Sequence, residues 1–477
     1  MMGKRDTAER HQIKLTSIDD MVPKNHLIRK IDKAIDLSFI YDKVENLYKP
    51  YGRESVDPVV LIKIVMIQYI FGIRSMRQTI KEIEVNIAYR WFLGYGLNED
   101  IPHFSTFGKN YSRRFEGTSL FEDIFKAIIE EAIKYNFIDE ENIFIDGTHI
   151  KANANNHKYK KDVVKKSAKF YEEELKKEID EDRKKHGKKP LKDTESIETK
   201  TIKVSTTDPQ CGVFHKGEHK KVFAYTSNTA CDINNYILDF NVTSGNTHDS
   251  VAFPSLYTNI IEQYKNVKNI VVDSGYKTPA IAKLIIDSNK VPIMPYKRPM
   301  TKKDFFKKYE FVYDEYYDCV ICPNNQILKY STTNRDGYRE YKSNNKICKK
   351  CPFLKKCTES KNNTKVVGIH IWQYYIDKVE DIRHTNGSKD IYSKRSETIE
   401  RVFADAKELH GMRYTQYRGL AKIKMELTLL FACMNLKKLA IWKSRKGLRP
   451  KPVGFILNAL FKNIKIYKRL MKTPSFS

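Results

Sequence analysis

Two segments of the chain repeat one pattern. Asn142-Ile-Phe-Ile-Asp146-Gly147-Thr148 and Asn269-Ile-Val-Val-Asp273-Ser-Gly275 each run from asparagine through three apolar residues into an aspartate followed by small residues. A continuous apolar run with β-branched residues reads as a strand buried on both faces, and here each run stops at a charge. Two such strands side by side place both carboxylates at one end of a sheet, with Gly147 expected to give the chain room to turn. Carboxylates a few ångströms apart repel, and one takes up a proton unless a cation lies between them. Hard divalent cations such as Mg²⁺ prefer oxygen ligands of this kind. The spacing therefore predicts a metal site at Asp146 and Asp273, against the plainer role of turn or helix-capping aspartates.

A site for two ions needs further carboxylate. The segment Tyr392 to Gly411 reads as an amphipathic helix near 396–409, with Ile399, Val402, Phe403, Ala406 and Leu409 on one stripe and Ser393 or Ser396 as its N-cap. Glu400 borders that stripe and Lys407 lies two turns further along the same side. Glu397, one turn earlier, competes for the same role.

Around these segments the period of the pattern shifts. Residues 56–135 read as three short helices: one starting at Ser55 or Asp57-Pro58, one capped by Ser75, and a basic third from about Ser105. Lys109, Arg113 and Arg114 on the third are placed to meet phosphate, an arrangement that suits a helix-turn-helix-like DNA module or any small cationic bundle. Residues 157–200 are overwhelmingly charged, with Tyr171, Leu175 and Ile179 as a thin apolar line, and read as an exposed helix or a solvated insertion. Val222–Asp232 and Tyr236–Ser244 read as a hairpin. A helix near 250–264, the second aspartate segment, a helix through Ile281 and Ile285 and a strand at Val291–Met294 follow. The order predicts a mixed α/β sheet, with a last helix across Leu420–Trp442.

Asp146, Asp273 and Glu400 in these contexts resemble the catalytic triad of the DDE-type insertion-sequence transposases. In many of them the glutamate lies in a signature of tyrosine, two residues, arginine, three residues, glutamate, six residues and lysine. Tyr392, Arg395, Glu400 and Lys407 match it except that Arg395 to Glu400 has one residue too many. Val242–Ser250 and the opening helices also resemble segments of that family. The resemblance implies an α/β fold with a ribonuclease H-like mixed sheet, preceded by an N-terminal helical domain and interrupted by a β-rich, cysteine-containing insertion. It implies metal-dependent cleavage of double-stranded DNA at an element's terminal inverted repeats and strand transfer into target DNA. Asp146, Asp273 and Glu400 would hold Mg²⁺ or Mn²⁺, while Tyr392, Arg395 and Lys407 would contact DNA near the scissile phosphate. A homodimer on DNA and a prokaryotic, nucleoid-associated setting go with that reading. A related nuclease without strand transfer, or a non-catalytic DNA-binding regulator, are the alternatives. Polar structural roles are expected for His149 and His248.

The expected boundaries are 1–135 for the helical domain, 136–298 for the first part of the core with its charged insertion at about 157–205, 299–390 for the β-rich insertion, 391–445 for the last core helices and 446–477 for a basic tail. Within the insertion, Cys319 and Cys322 form one CxxC pair and Cys348 and Cys351 another, with Cys357 close behind. This spacing is that of a zinc knuckle pair, with the ligand set left open by the fifth cysteine. Cys211, Cys231 and Cys433 are expected to be packing residues.

Composition agrees with a polyanionic partner. Lys plus Arg number 86 against 59 Asp plus Glu, a formal charge of +27 spread through 477 residues, and such an excess favours phosphate contacts. No run approaches the roughly 20 apolar residues that span a bilayer, and the N-terminal residues lack the apolar stretch of a secretory signal. A reducing cytoplasm is the resulting expectation.

Overall fold

In the computed structural model, which describes residues 2, 13, 15–52, 54–165, 170–192, 199–216, 220–298 and 301–446, the two asparagine-led segments are neighbouring parallel strands. The main sheet has six strands: β1 (Asn142–Lys151), then, after a separate ribbon of β2 (Tyr159–Lys165) and β3 (Thr199–Ser205), β4 (Gly212–Lys216), β5 (Lys220–Cys231), β6 (Ile237–Ser244), β7 (Asn269–Val271) and β8 (Val291–Ile293). Across the sheet the order is β5, β1, β7, β8, with β6 and β4 sharing the far edge of β5. β1 pairs antiparallel to β5 and parallel to β7, and β7 pairs parallel to β8. Ile143, Phe144, Ile145, Ile270 and Val271 are fully buried, as expected of strands covered on both faces. The Asp249–Gln263 helix packs on β5 and β6, and the Pro279–Asp287 helix on β8.

One expectation fails at Asp146. The strand does not end there: β1 continues to Lys151, and Gly147 lies within it, opposite Asn228 of β5. Hydrogen bonding to β5 sustains the strand after its parallel neighbour has stopped at Val271. Asp146 thus sits where one side of the ladder ends and the other goes on.

The charged insertion is also more ordered than its composition suggests. Its helix, Glu172–Lys185, buries Leu175 and Ile179 against Ala280 and Trp372. Asp182 pairs with Arg339 at 2.6 Å, Arg183 donates to the Thr333 carbonyl at 2.8 Å, and His186 meets Asp318 at 2.7 Å. The thin apolar line is enough to seat a helix, several of whose charges find partners.

Residues beyond the main sheet form a second, wholly antiparallel sheet: β9 (Val312–Asp314), β10 (Cys319–Ile321), β11 (Ile327–Thr333), β12 (Tyr338–Lys342) and β13 (Val366–His370), paired in sequence order. Phe311, Val320, Leu328, Tyr341, Val367 and Ile369 make up its small core. His370 closes β13, 7% exposed, and its Nδ1 accepts the Trp372 backbone N–H at 3.0 Å. Burial pushes this imidazole down to about 4 from 6.5. The unfolded chain takes up the proton near 6.5 and the folded chain resists it until about 4, so stability is complete above 6.5 and falls as pH drops through that window, by up to about 3 kcal/mol. Urea unfolding should show a midpoint that decreases between about pH 7.5 and pH 5. His370→Gln should flatten part of that slope, and an unchanged slope would contradict the assignment.

Two compact units result. The described residues of Met1–Asp139, Ala404–Arg413 and Ala421–Ser477 form one, and those of Glu140–Phe403 and Tyr414–Leu420 the other. This division differs from the sequence-drawn boundaries, which keep 391–445 together. In the first unit the Pro58–Ile70 helix is capped by Asp57, whose Oδ1 accepts from the N–H groups of Val59 and Val60, and the Met76–Val85 helix by Ser75. Helices are more numerous over 56–135 than the expected three. Asn86 caps a fresh helix at Ile87–Leu93, separate helices span Ser105–Asn110 and Leu120–Lys134, and a π turn covers Tyr111–Phe115. The Leu420–Lys446 helix buries Leu430, Phe431 and Cys433, with Lys443 paired to Glu131 at 2.8 Å. The expected basic tail from 446 on lies outside the described residues, apart from Lys446.

Candidate active site

The parallel register aligns the two segments that lead to the aspartates. Asn142, Ile143 and Phe144 stand level with Asn269, Ile270 and Val271, so Asp146, within β1, and Asp273, two residues past the end of β7, each follow the last paired residue by the same interval. Such strands lie roughly 4.8 Å apart. Asp146 Oδ1 accepts the N–H of Gly147 at 2.8 Å, and Asp273 Oδ1 accepts that of Gly275 at 2.7 Å.

The third element arrives from residues 388–409. The helix expected near 396–409 begins later, at Ile399, and ends at Leu409; before it Ser388–Ser393 is a separate α-helix and Lys394–Ser396 a 3₁₀ turn. The extra residue between Arg395 and Glu400 falls in this joint, where the period that a signature counts is interrupted. Neither Ser393 nor Ser396 caps the later helix; their hydroxyls donate to the carbonyls of Asp390 and Ser393. Ile399, Val402, Phe403 and Ala406 are buried, but Leu409 is 52% exposed and leaves the stripe.

Arg395 is the finding that sequence reasoning missed. The residue expected at the DNA surface is buried, its side chain 6% exposed, and its Nη2 donates to Asp146 Oδ2 at 2.6 Å. Its Cζ lies 5.8 Å from the centre of the Tyr392 ring. Burial raises the Tyr392 phenol above its ordinary range; Arg395 lowers it again, and the charges of Asp273 and Glu400 raise it further. Tyr392 thus feels the charges of Arg395, Asp273 and Glu400, and Arg395 in turn is bonded to Asp146. Glu400 itself is exposed, as is Glu397, whose backbone carbonyl accepts from Asn235. A spacing pattern could place Arg395 near the carboxylates but could not say that its cation is taken up by one of them.

Beside Tyr392 opens a cavity of about 180 Å³, lined by Met294, Tyr296, Arg383 and Lys389 among others. The remaining candidates are dispersed. Lys407 is half-buried on the Ile399–Leu409 helix, seven residues after Glu400. Lys109 and Arg113 are exposed, whereas Arg114 donates to Asn110 Oδ1 and lies 4.4 Å over the Tyr48 ring. His149 stacks on Phe214 with centroids 3.4 Å apart, and His248 caps the Asp249–Gln263 helix through Nδ1.

Three carboxylates are a donor set suited to a hard divalent cation. As the side chains stand, no group of three His, Cys, Asp or Glu among the described residues is gathered tightly enough to hold a metal ion; at Asp146, the Arg395 guanidinium supplies the positive charge.

Two family models match parts of the chain. Residues 321–440 match the family described as Transposase DDE domain, and residues 16–113 match Transposase domain (DUF772). Both are transposase families, and together they support a DDE-type insertion-sequence transposase. The first match contains Tyr392, Arg395, Glu400 and Lys407 together with Cys322, Cys348, Cys351 and Cys357; the second covers the early helices and ends at Arg113. Asp146 and Asp273 fall outside both. No curated protein and no solved structure matches this transposase. A transposase role implies a DNA substrate. No described helix is long and apolar enough to cross a membrane.

Proposed function

We propose that the protein binds the ends of a mobile element, cleaves DNA there in a divalent-metal-dependent reaction and joins the freed 3′-hydroxyls to target DNA. The observation that carries this reading is the level register of β1 and β7, from which Asp146 within β1 and Asp273 just past β7 follow by the same interval, together with the Arg395–Asp146 pair. A sheet ordered β6, β5, β1, β7, β8, with antiparallel pairing on one side of β1 and parallel pairing on the other, supports a ribonuclease H-like core.

Asp146, Asp273 and Glu400 would hold Mg²⁺ or Mn²⁺. When bound, such ions activate a water or hydroxyl nucleophile and stabilise the departing phosphate-ester oxygen. The protein's own residues do the positioning. Asp146 is fixed by its strand and by Arg395, Asp273 by the turn into Gly275, and Glu400 by a helix whose opposite face is buried. Arg395 orients the Asp146 carboxylate and sets a positive charge against it. Lys407, with Lys109 and Arg113 on the early helices, supplies phosphate contacts, and Tyr392 packs at the site rather than acting as a nucleophile. Two copies of the chain are proposed to pair two ends.

The test is incubation with duplex DNA carrying the element's ends and a target plasmid, with Mg²⁺ or Mn²⁺ and with chelator. Joined donor–target products that require the metal are expected. Cleavage without joining would favour the nuclease, and binding without cleavage would favour the regulator.

A further inference from the structure

Of the five cysteines in the antiparallel module, four line one cavity. Cys322 follows β10 at a tight turn: its N–H donates to the Gln326 carbonyl at 3.0 Å, and its own carbonyl accepts from Asn325, which takes a left-handed φ of 50°. Cys348 closes the Asn345–Cys348 helix, Cys351 follows with its N–H on the Cys348 carbonyl at 3.0 Å, and Cys357 closes the Leu354–Cys357 helix. All four line a single cavity of about 30 Å³ whose other walls include Leu328, Ile347 and Leu354. Cys319 does not line it. Alternation along a strand puts Val320 and Cys322 on one face and Cys319 on the other, and Val320 with Cys322 indeed packs into the module's core while Cys319 is absent from it.

We propose that Cys322, Cys348, Cys351 and Cys357 bind one structural zinc ion as a four-thiolate tetrahedral site, with Cys319 excluded. Four sulfur donors in two close pairs are the soft, tetrahedral set that selects zinc. The module also needs such a link. Six buried side chains are a thin core for five strands, and small modules with little apolar volume are commonly held by a metal or disulfides. The ion would join the β10–β11 turn to the 345–357 segment, which has only two one-turn helices of its own. Lys349, Lys350, Lys355, Lys356 and Lys365 surround the site in sequence or space and offset the excess negative charge of four thiolates. The sulfurs line the cavity without yet converging on one point, so the ion would draw these side chains inward from walls already in place.

The test is elemental analysis of full-length protein purified without a histidine tag. About one zinc per chain is expected, lost in Cys322→Ser, Cys348→Ser, Cys351→Ser and Cys357→Ser and kept in Cys319→Ser and Cys231→Ser. Because a ligand variant can fail to fold, wild-type protein is also stripped with chelator and refilled with Co²⁺, whose thiolate charge-transfer absorption reports a tetrahedral sulfur site. Zinc should likewise protect four thiols from a thiol reagent. A folded wild type with neither zinc nor a cobalt–thiolate spectrum overturns the proposal, and so does loss of zinc in Cys319→Ser equal to that in the other four.

Discussion

Asp146→Asn, Asp273→Asn and Glu400→Gln are each expected to lower DNA cleavage by about 10³-fold or more, since losing a carboxylate that holds a catalytic cation removes several kcal/mol of transition-state stabilisation. Binding of end-containing DNA should change little, because phosphate contacts dominate affinity and come from cations elsewhere. Gel-shift and cleavage assays on the same preparations separate the two effects. Asp273→Asn is the cleanest of the three. Among the described residues Asp273 has no ion-pair partner of the kind that Arg395 provides for Asp146, and the amide of an asparagine there can still accept from Gly275. Glu397→Gln serves as the comparison for Glu400→Gln: an inactive Glu397 variant beside an active Glu400 variant would move the third carboxylate. Normal cleavage in all three variants would remove the site altogether.

How far the fold was legible follows from which interactions are local. The apolar runs at 143–145 and 270–272 are periodic enough to mark buried strands, and their shared asparagine start foreshadows the level register that the sheet adopts. The hairpin at 220–244 and the helices at 249–263 and 279–287 are written in similar short-range patterns. What the sequence hides is non-local. Nothing before Gly147 tells that β5 carries β1 on to Lys151, because that hydrogen bonding comes from residues some 80 positions away. The charged helix at 172–185 looked solvated because its partners, Arg339, Thr333 and Asp318, lie in a module whose packing no helical period reveals. The break at 394–398 is of the same kind. Thr398 Oγ donates back to the Lys394 carbonyl at 2.7 Å, a local bond that competes with helix continuation, while the stripe from Ile399 on gives no hint of where the helix begins.

Arg395 is where the difference has the largest consequence for stability. An arginine that merely contacts DNA is exposed, and its removal changes stability by about 0.5 kcal/mol or less. Arg395 is instead buried on Asp146, and breaking a buried pair by deleting one partner costs roughly 3–5 kcal/mol, since the other charge is left uncompensated. Asp146 keeps 20% exposure, so solvent offsets part of this, and about 3 kcal/mol is expected for Arg395→Met. For a unit of this size that corresponds to a fall in Tm of roughly 5–10 °C. Asp146→Asn alone should also destabilise, by stranding a guanidinium whose Nε already lacks a partner. The double variant decides the matter: with both charges gone, its loss should be smaller than the sum of the single losses by about 1–3 kcal/mol. Strict additivity would mean that the pair carries no coupling, and a stable Arg395→Met with weakened DNA binding would return the residue to the DNA surface. Divalent cation gives the converse check. If Mg²⁺ or Mn²⁺ takes over the charge that Arg395 supplies to Asp146, the ion should restore more stability to Arg395→Met than it adds to wild type, and none to the variant that also lacks the Asp146 carboxylate.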